Sequence, residues 1–150
     1  PVGYGKRGSF EGFASGGGIA QLGKTAAVEK LQAGKTTGYC ASFAELESVT
    51  AKSIAEAADA GDETALEVYG LCAEMLGYGL SILVDILNPE VIVIGSIFQR
   101  SAHLLRDRMD EIMRTECLPI SYEAVRVVPA ALAEDLGDKA ALALAQSVGE

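Results

Sequence analysis

The stretch most suggestive of chemistry is GYGKRGSFEGFASGGG, residues 3–18. Gly3, Gly5 and Gly8 fall at the spacing G-x-G-x-x-G, which in a dinucleotide-binding unit lets backbone approach a pyrophosphate at a helix N-terminus. That use needs a strand to deliver the chain to the first glycine, and none precedes Gly3 in these residues, so a flexible or metal-tethered loop is the better reading. Glu11 follows, between Phe10 and Phe13 at the start of a helical pattern. Its carboxylate either complements the helix dipole or accepts two hydrogen bonds at once from neutral hydroxyls, as polyol recognition requires.

A second candidate is VIVIGSIF, residues 91–98. Its plain reading is a core strand and a turn. Its functional reading places Gly95 and Ser96 at the C-terminal end of a parallel strand, where open α/β sheets bind ligands. Gly34-Lys35-Thr36 resembles the end of a P-loop, but the first glycine of that motif would stand at position 29, which is Glu29. His103, the single histidine, lies in a helical pattern beside Leu104 and Leu105, which suits a surface or packing role better than a base or metal ligand. Asp135 and Asp138 read as a cap and a solvated face. No Ser/His/Asp or Cys/His constellation can be assembled, so no catalytic residue is assigned.

These groups must be positioned by the elements around them. Residues 1–10 read as a Gly-rich loop with Ser9 placed to cap a helix starting just after it. Residues 11–32 are helical in spacing except at Gly16, Gly17 and Gly18, whose run implies close backbone approach to a neighbour or ligand. A connector over 33–44 leads to a helix over 44–60, and Gly61-Asp62 supplies a C-cap and then an N-cap. The periodicity of Leu66, Tyr69, Cys72 or Ala73, Leu76, Leu80, Leu83 and Leu87 predicts a helix over 63–87, stopped by Asn88-Pro89. Val91 to Gly95 lacks alternation, which predicts a strand buried on both faces. Ser101 is placed to cap a helix through Arg114, a second strand runs within 124–130, and EDLGDKAALALAQSV, residues 134–148, predicts a terminal helix.

The order over 91–150 is therefore strand, helix, strand, helix after a mainly helical segment over 11–87, the tail of a βαβα arrangement. Two short parallel strands do not make a complete sheet, so further strands must come from an N-terminal half that these residues do not contain or from a second copy. The opening Pro1, with neither a basic nor an apolar leader pattern, points the same way, to a fragment or a processed product.

Bulk composition narrows the partners. The 150 residues are 49% hydrophobic, enough for one domain with a core. With 12 Lys plus Arg against 21 Asp plus Glu, the net charge of −9 repels nucleic acid and anionic lipid. The most apolar stretch, residues 76–87, is too short to span a bilayer and carries Asp85, so no membrane partner is expected. Cys40, Cys72 and Cys117 are odd in number and widely spaced, which fits neither a disulfide framework nor a zinc ribbon and implies a reducing, cytoplasmic setting.

The blocks GSFEGFASG, AEAADAGDETAL, LVDILNPEVIVIGSIF and GDKAALALA occur here in the order seen in one family. The chain resembles the C-terminal half of a ROK-family protein, a group of sugar kinases and sugar-responsive repressors, and the resemblance covers essentially all of it. It implies an α/β fold, helix-rich with a few parallel strands, forming part of a ribonuclease-H-like (actin-like ATPase) domain, with this chain in the second lobe. It implies that Glu11 contacts sugar hydroxyls and that Gly95 and Ser96 lie against the nucleotide; Ser96 replaces a second glycine often found there. Many members carry a zinc knuckle at the opening stretch. Here Gly5, Gly8, Phe10 and Glu11 keep its frame, while Val2, Tyr4 and Ser9 stand where the cysteines would be, so no zinc is expected and Tyr4, Phe10 and Phe13 must hold the loop by packing.

The resemblance further implies a parent protein that uses ATP and Mg²⁺ to phosphorylate a hexose, with the catalytic aspartate and the phosphate loops outside this chain, so that the chain alone does not catalyse. A sugar-sensing body of a repressor and a non-catalytic interaction domain are the alternatives. Members commonly pair through this lobe, and Gly70, Gly77 and Gly79 could permit close packing between copies or within one chain.

Overall fold

The computed structural model describes residues 1–131 and Leu144. The terminal helix expected over 134–148, with Asp135 and Asp138, therefore lies outside the described residues apart from Leu144.

The chain opens on a β-hairpin, not on a loop. β1 (Val2–Gly3) pairs antiparallel with β2 (Lys6–Arg7), Val2 opposite Arg7 and Gly3 opposite Lys6. Tyr4 (φ 50°) and Gly5 (φ 74°) are the two connecting residues, both left-handed, as a type I′ hairpin turn requires. Ser9 then caps α1 (Phe10–Ala14), its hydroxyl accepting from Gly12 N. The helical pattern breaks at Ser15, which caps α2 (Gly16–Gln32) by accepting from Gly18 N.

Of the three consecutive glycines, Gly18 has the clearest steric reason. A Cβ there would lie 1.8 Å from the Gly12 carbonyl oxygen, so α1 crosses α2 at a distance that only glycine permits. Beyond the connector, a 3₁₀ turn (Phe43–Ser48) and α3 (Ala51–Asp59) replace the single helix expected over 44–60. The break falls at Val49–Thr50, where Thr50 and Ser53 close a reciprocal capping box.

α4 (Glu63–Leu87) has the bounds the sequence predicts, with the Asp62 carboxylate accepting from Ala65 N and Asn88 left-handed at its end. Its buried stripe differs from the expected one. Tyr69, Cys72, Ala73, Leu76, Leu80 and Val84 face the core, while Leu66, Leu83 and Leu87 are exposed. Small residues explain the shift: Gly77 and Ser81 turn inward, and a Cβ at Gly77 would lie 2.7 Å from Ile112 Cβ. Gly79 seats the Phe10 ring of α1, and Gly70 faces open space. Two of the three glycine notches on α4 thus serve contacts within the chain. At 25 residues α4 is also long and apolar enough, by length and composition, to cross a membrane, so the length argument made from residues 76–87 does not apply to it. In this fold it is the central helix, with α1, α2, α3 and α5 packed around it.

β3 (Val91–Ile94) and β4 (Arg126–Pro129) form a parallel pair in the register Val91–Arg126 to Ile94–Pro129. β3 alternates instead of being buried on both faces. Ile92 and Ile94 join the helical core, whereas Val93 is 62% exposed. Between the strands run α5 (Ile97–Glu116) and α6 (Pro119–Ala124). α5 begins at Ser96, five residues earlier than expected, and Ser101 is a kink inside it (φ −127°, ψ 27°), not its cap. The core joins the two regions, with Ile19, Ile54, Tyr69, Phe98, Leu105, Met109 and Met113 among its most deeply buried side chains.

Candidate functional site

Ser96 stands at the C-terminal end of β3 and opens α5. Its φ of 51° and ψ of −116° belong to the first central position of a type II′ turn, which favours glycine. Backbone strain of this kind collects where a ligand must be met at a set angle. By contrast, a Cβ at Gly95 would make only ordinary contact, at 3.8 Å from Ala130 Cβ, so the conformational demand falls on position 96.

Ser96 lines a cleft of about 520 Å³ between α3 and the first turns of α5, with Gly16 of α2 at one side. α3 contributes Lys52, Glu56 and Asp59, and α5 contributes Arg100, Ser101 and His103. Across it the His103 Nε2 meets Asp59 Oδ1 at 2.8 Å, a pair between residues 44 apart that no local pattern foretells. Lys52 and Glu56 pair along α3 at 3.8 Å.

Ser101 is the one buried residue among those lining the cleft. Its hydroxyl lies 3.3 Å from that of Tyr69, which in turn donates to the Ala51 carbonyl at 3.0 Å. One phenol on α4 thereby ties the start of α3 to the kink of α5 and sets the spacing of the cleft walls. Burial pushes the Tyr69 phenol above its ordinary pKa, and the hydrogen bond with Ser101 offsets part of that rise.

A larger hollow, about 680 Å³, lies between residues 37–41 and the α3–α4 junction. Its polar groups are already engaged: Gly38 N donates to Asp62 Oδ2 at 2.7 Å, and the Tyr39 hydroxyl to the Gly23 carbonyl at 3.0 Å. The hollow is a joint between elements. Cys40, Cys72 and Cys117 are all free and buried, and burial raises the Cys72 thiol to about 12, which leaves it unreactive.

Glu11 sits exposed on α1 and does not line the Ser96 cleft. The hairpin fixes its base, since a Cβ on Gly3 would lie 2.9 Å from Glu11 Cβ. Of the three aromatics the sequence suggested for holding this region, Phe10 packs against Gly79 of α4, but Tyr4 does not pack. Tyr4 is 95% exposed, and polar clamps take over: Gln21 bonds both backbone groups of Val2, and the Ser9 hydroxyl donates to the Gly3 carbonyl at 3.2 Å.

A protein-family model described as the ROK family matches residues 2–148. The chain belongs to the ROK family. It is 31% identical over 137 residues to a glucokinase of Halalkalibacterium halodurans, covering 91% of this chain and 40% of that protein. Among solved structures, a ROK-family transcriptional regulator described as a homologue of the E. coli MLC protein is 25% identical (TM-score 0.65), covering 85% of this chain and 30% of that one. A ROK-family glucokinase from Streptomyces griseus, in complex with glucose and AMPPNP, shares the fold at 21% identity (TM-score 0.66), covering 87% and 42%. A sugar-kinase structure from Cytophaga hutchinsonii does so at 18% (TM-score 0.70), covering 85% and 40%. The chain thus spans less than half of the relatives it matches, and its helix-rich α/β fold is theirs.

The zinc knuckle of many ROK proteins does not fit this chain. Val2 offers only backbone, already paired with Gln21; the Ser9 hydroxyl is engaged by Gly3 and Gly12; and Tyr4 sits at the exposed hairpin tip. A structural zinc needs four N or S ligands.

Proposed function

We propose that the chain is the C-terminal part of an ATP-dependent sugar kinase. In this reading Glu11 accepts hydrogen bonds from a hexose, and Gly95 with Ser96 lie against the nucleotide. The observation that carries it is the position of Ser96: a strained residue at the C-terminal end of a parallel strand, opening a long helix and lining the cleft between α3 and α5. Ligands of open α/β sheets bind at such strand ends, and the N-terminal dipole of α5 favours anionic groups. The relatives named glucokinase, one of them solved with glucose and AMPPNP, support the substrate classes.

Within this chain the work is positional. The hairpin and α1 hold Glu11 at the edge of a sugar site, and α3 and α5 hold the nucleotide, with Mg²⁺ accompanying its phosphates. Phosphoryl transfer depends chiefly on such positioning and on electrostatic stabilisation. The aspartate that takes the proton of the sugar hydroxyl lies outside these residues, so the chain alone does not turn over. The setting is cytoplasmic, where ATP and reduced thiols occur together.

A second reading, the sugar-sensing body of a repressor, has the similarity to the solved ROK regulator in its favour. Steady-state kinetics on the full-length protein test the first. Glu11→Gln raises the KM for sugar about tenfold or more, the loss of one charge-assisted hydrogen bond, and leaves the KM for ATP unchanged. An unaltered sugar KM removes Glu11 from the site.

A further inference from the structure

We infer that Ser101, oriented by Tyr69, selects a purine bearing a 6-amino group over one bearing a 6-oxo group. The inference rests on reading the Ser96 cleft as the nucleotide site and goes beyond it by naming the group that discriminates the base.

The argument is a count of protons. Tyr69 has one hydroxyl proton and donates it to the Ala51 carbonyl at 3.0 Å. At 3.3 Å from Ser101 Oγ its oxygen can then only accept, so the Ser101 proton is drawn toward Tyr69. What Ser101 retains toward the cleft is lone pairs. Tyr69 is 1% exposed, so its hydroxyl has no bulk water to turn to in place of Ala51 and Ser101, and Ser101, 3% exposed, keeps it as a partner at the edge of the cleft.

A fixed acceptor at the most buried part of a cleft favours a donor on the ligand and opposes another acceptor, because a buried polar group left unpaired is costly. Adenine presents an amino group at its 6-position; hypoxanthine and guanine present a carbonyl oxygen. The kink of α5 at Ser101 serves the same end, since it turns this residue out of regular helix, where a serine hydroxyl would bond back to the preceding turn.

The test is binding of ATP and of inosine triphosphate, which carries a 6-oxo group and a protonated N1 where ATP has a 6-amino group and an unprotonated N1, to the full-length protein with Mg²⁺ by calorimetry. ATP binds about tenfold tighter or more, the worth of one buried hydrogen bond. Tyr69→Phe frees the Ser101 proton to turn toward the cleft, and Ser101→Ala removes the acceptor. Both bring the ratio of the two affinities toward one. A purely structural role for either residue would weaken both nucleotides alike and keep the ratio. A ratio near one in the unaltered protein, or a ratio that survives in Tyr69→Phe, overturns the inference. Tyr69→Phe keeps the ring and suffices if Ser101→Ala does not fold. Saturable binding of neither nucleotide overturns the nucleotide reading itself, an outcome distinct from binding without discrimination.

Discussion

Gln21, in the second turn of α2, holds the backbone of Val2 with both ends of its side-chain amide: Val2 N donates to Oε1 at 2.9 Å, and Nε2 donates to the Val2 carbonyl at 2.9 Å. Val2 stands where many ROK proteins place the first cysteine of a zinc knuckle. A reciprocal amide clamp from the neighbouring helix thus anchors the hairpin in this chain, and the hairpin in turn fixes the base of Glu11.

Gln21→Ala therefore loosens the hairpin without dismantling the fold. Two exposed hydrogen bonds contribute about 1 kcal/mol together. Amide exchange of residues 2–8 accelerates while that of α4 does not change, and added zinc raises neither stability nor protection. Unchanged exchange over the hairpin would show that the clamp does not hold it.

The glycines of α4 have opposite requirements. A Cβ at Gly77 would meet Ile112 Cβ at 2.7 Å and the Met109 carbonyl oxygen at 2.8 Å, whereas at Gly70 it would meet nothing within 4 Å. Gly77→Ala forces α5 away and costs about 1–3 kcal/mol; Gly70→Ala removes unfolded-state freedom and stabilises by up to about 1 kcal/mol. Denaturant midpoints of the two variants should move in opposite directions. A loss at Gly70 comparable to that at Gly77 would place Gly70 in an interface, as pairing between copies would require.

Ser96→Gly relieves a conformation that a side chain tolerates poorly. Stability rises by about 1 kcal/mol, read from the melting temperature. A fall in stability would mean that the Ser96 hydroxyl makes an interaction worth more than the strain.

The protein loses stability in alkali. Burial, the largest cause in each case, raises the Cys72 thiol from 9.0 and the Tyr39 phenol from 10.0, each to about 12. Both groups are neutral when protonated, and the folded chain holds the proton more tightly. As pH rises from 9 toward 12 the unfolded chain therefore ionises first, binds fewer protons and gains in relative stability. Denaturant midpoints fall across this window, and Cys72→Ala flattens its lower part. A midpoint equal at pH 8 and at about pH 11 contradicts the linkage.

What could be read in the sequence depended on the range of the interaction. The bounds of α4 were legible because Asp62 and Asn88-Pro89 are local signals, and the Ser9 cap was legible for the same reason. The hairpin was not, since its turn places a tyrosine in a left-handed conformation that tyrosine seldom adopts. The local pattern places the helix cap at Ser101, whereas Ser101 lies at a kink inside α5, its hydroxyl 3.3 Å from one 32 residues away, and the cap lies at Ser96. The Asp59–His103 pair belongs to the same class of long-range contact. Leu66, Leu83 and Leu87 misled because hydrophobic spacing does not register that Gly77 and Ser81 admit a close neighbour. Of the candidate site, Ser96 was legible as a residue at a strand end, but not the cleft it lines, which needs α2, α3 and α5 together; Gly95 and Glu11 do not line that cleft.

The central claim is tested most directly by phosphoryl transfer from ATP to a panel of hexoses, measured with the full-length protein. The account predicts sugar-dependent turnover that an Asp→Asn change at the catalytic aspartate outside this chain abolishes. Sugar binding with no turnover of any hexose contradicts it and leaves the sugar-sensing body of a repressor as the function.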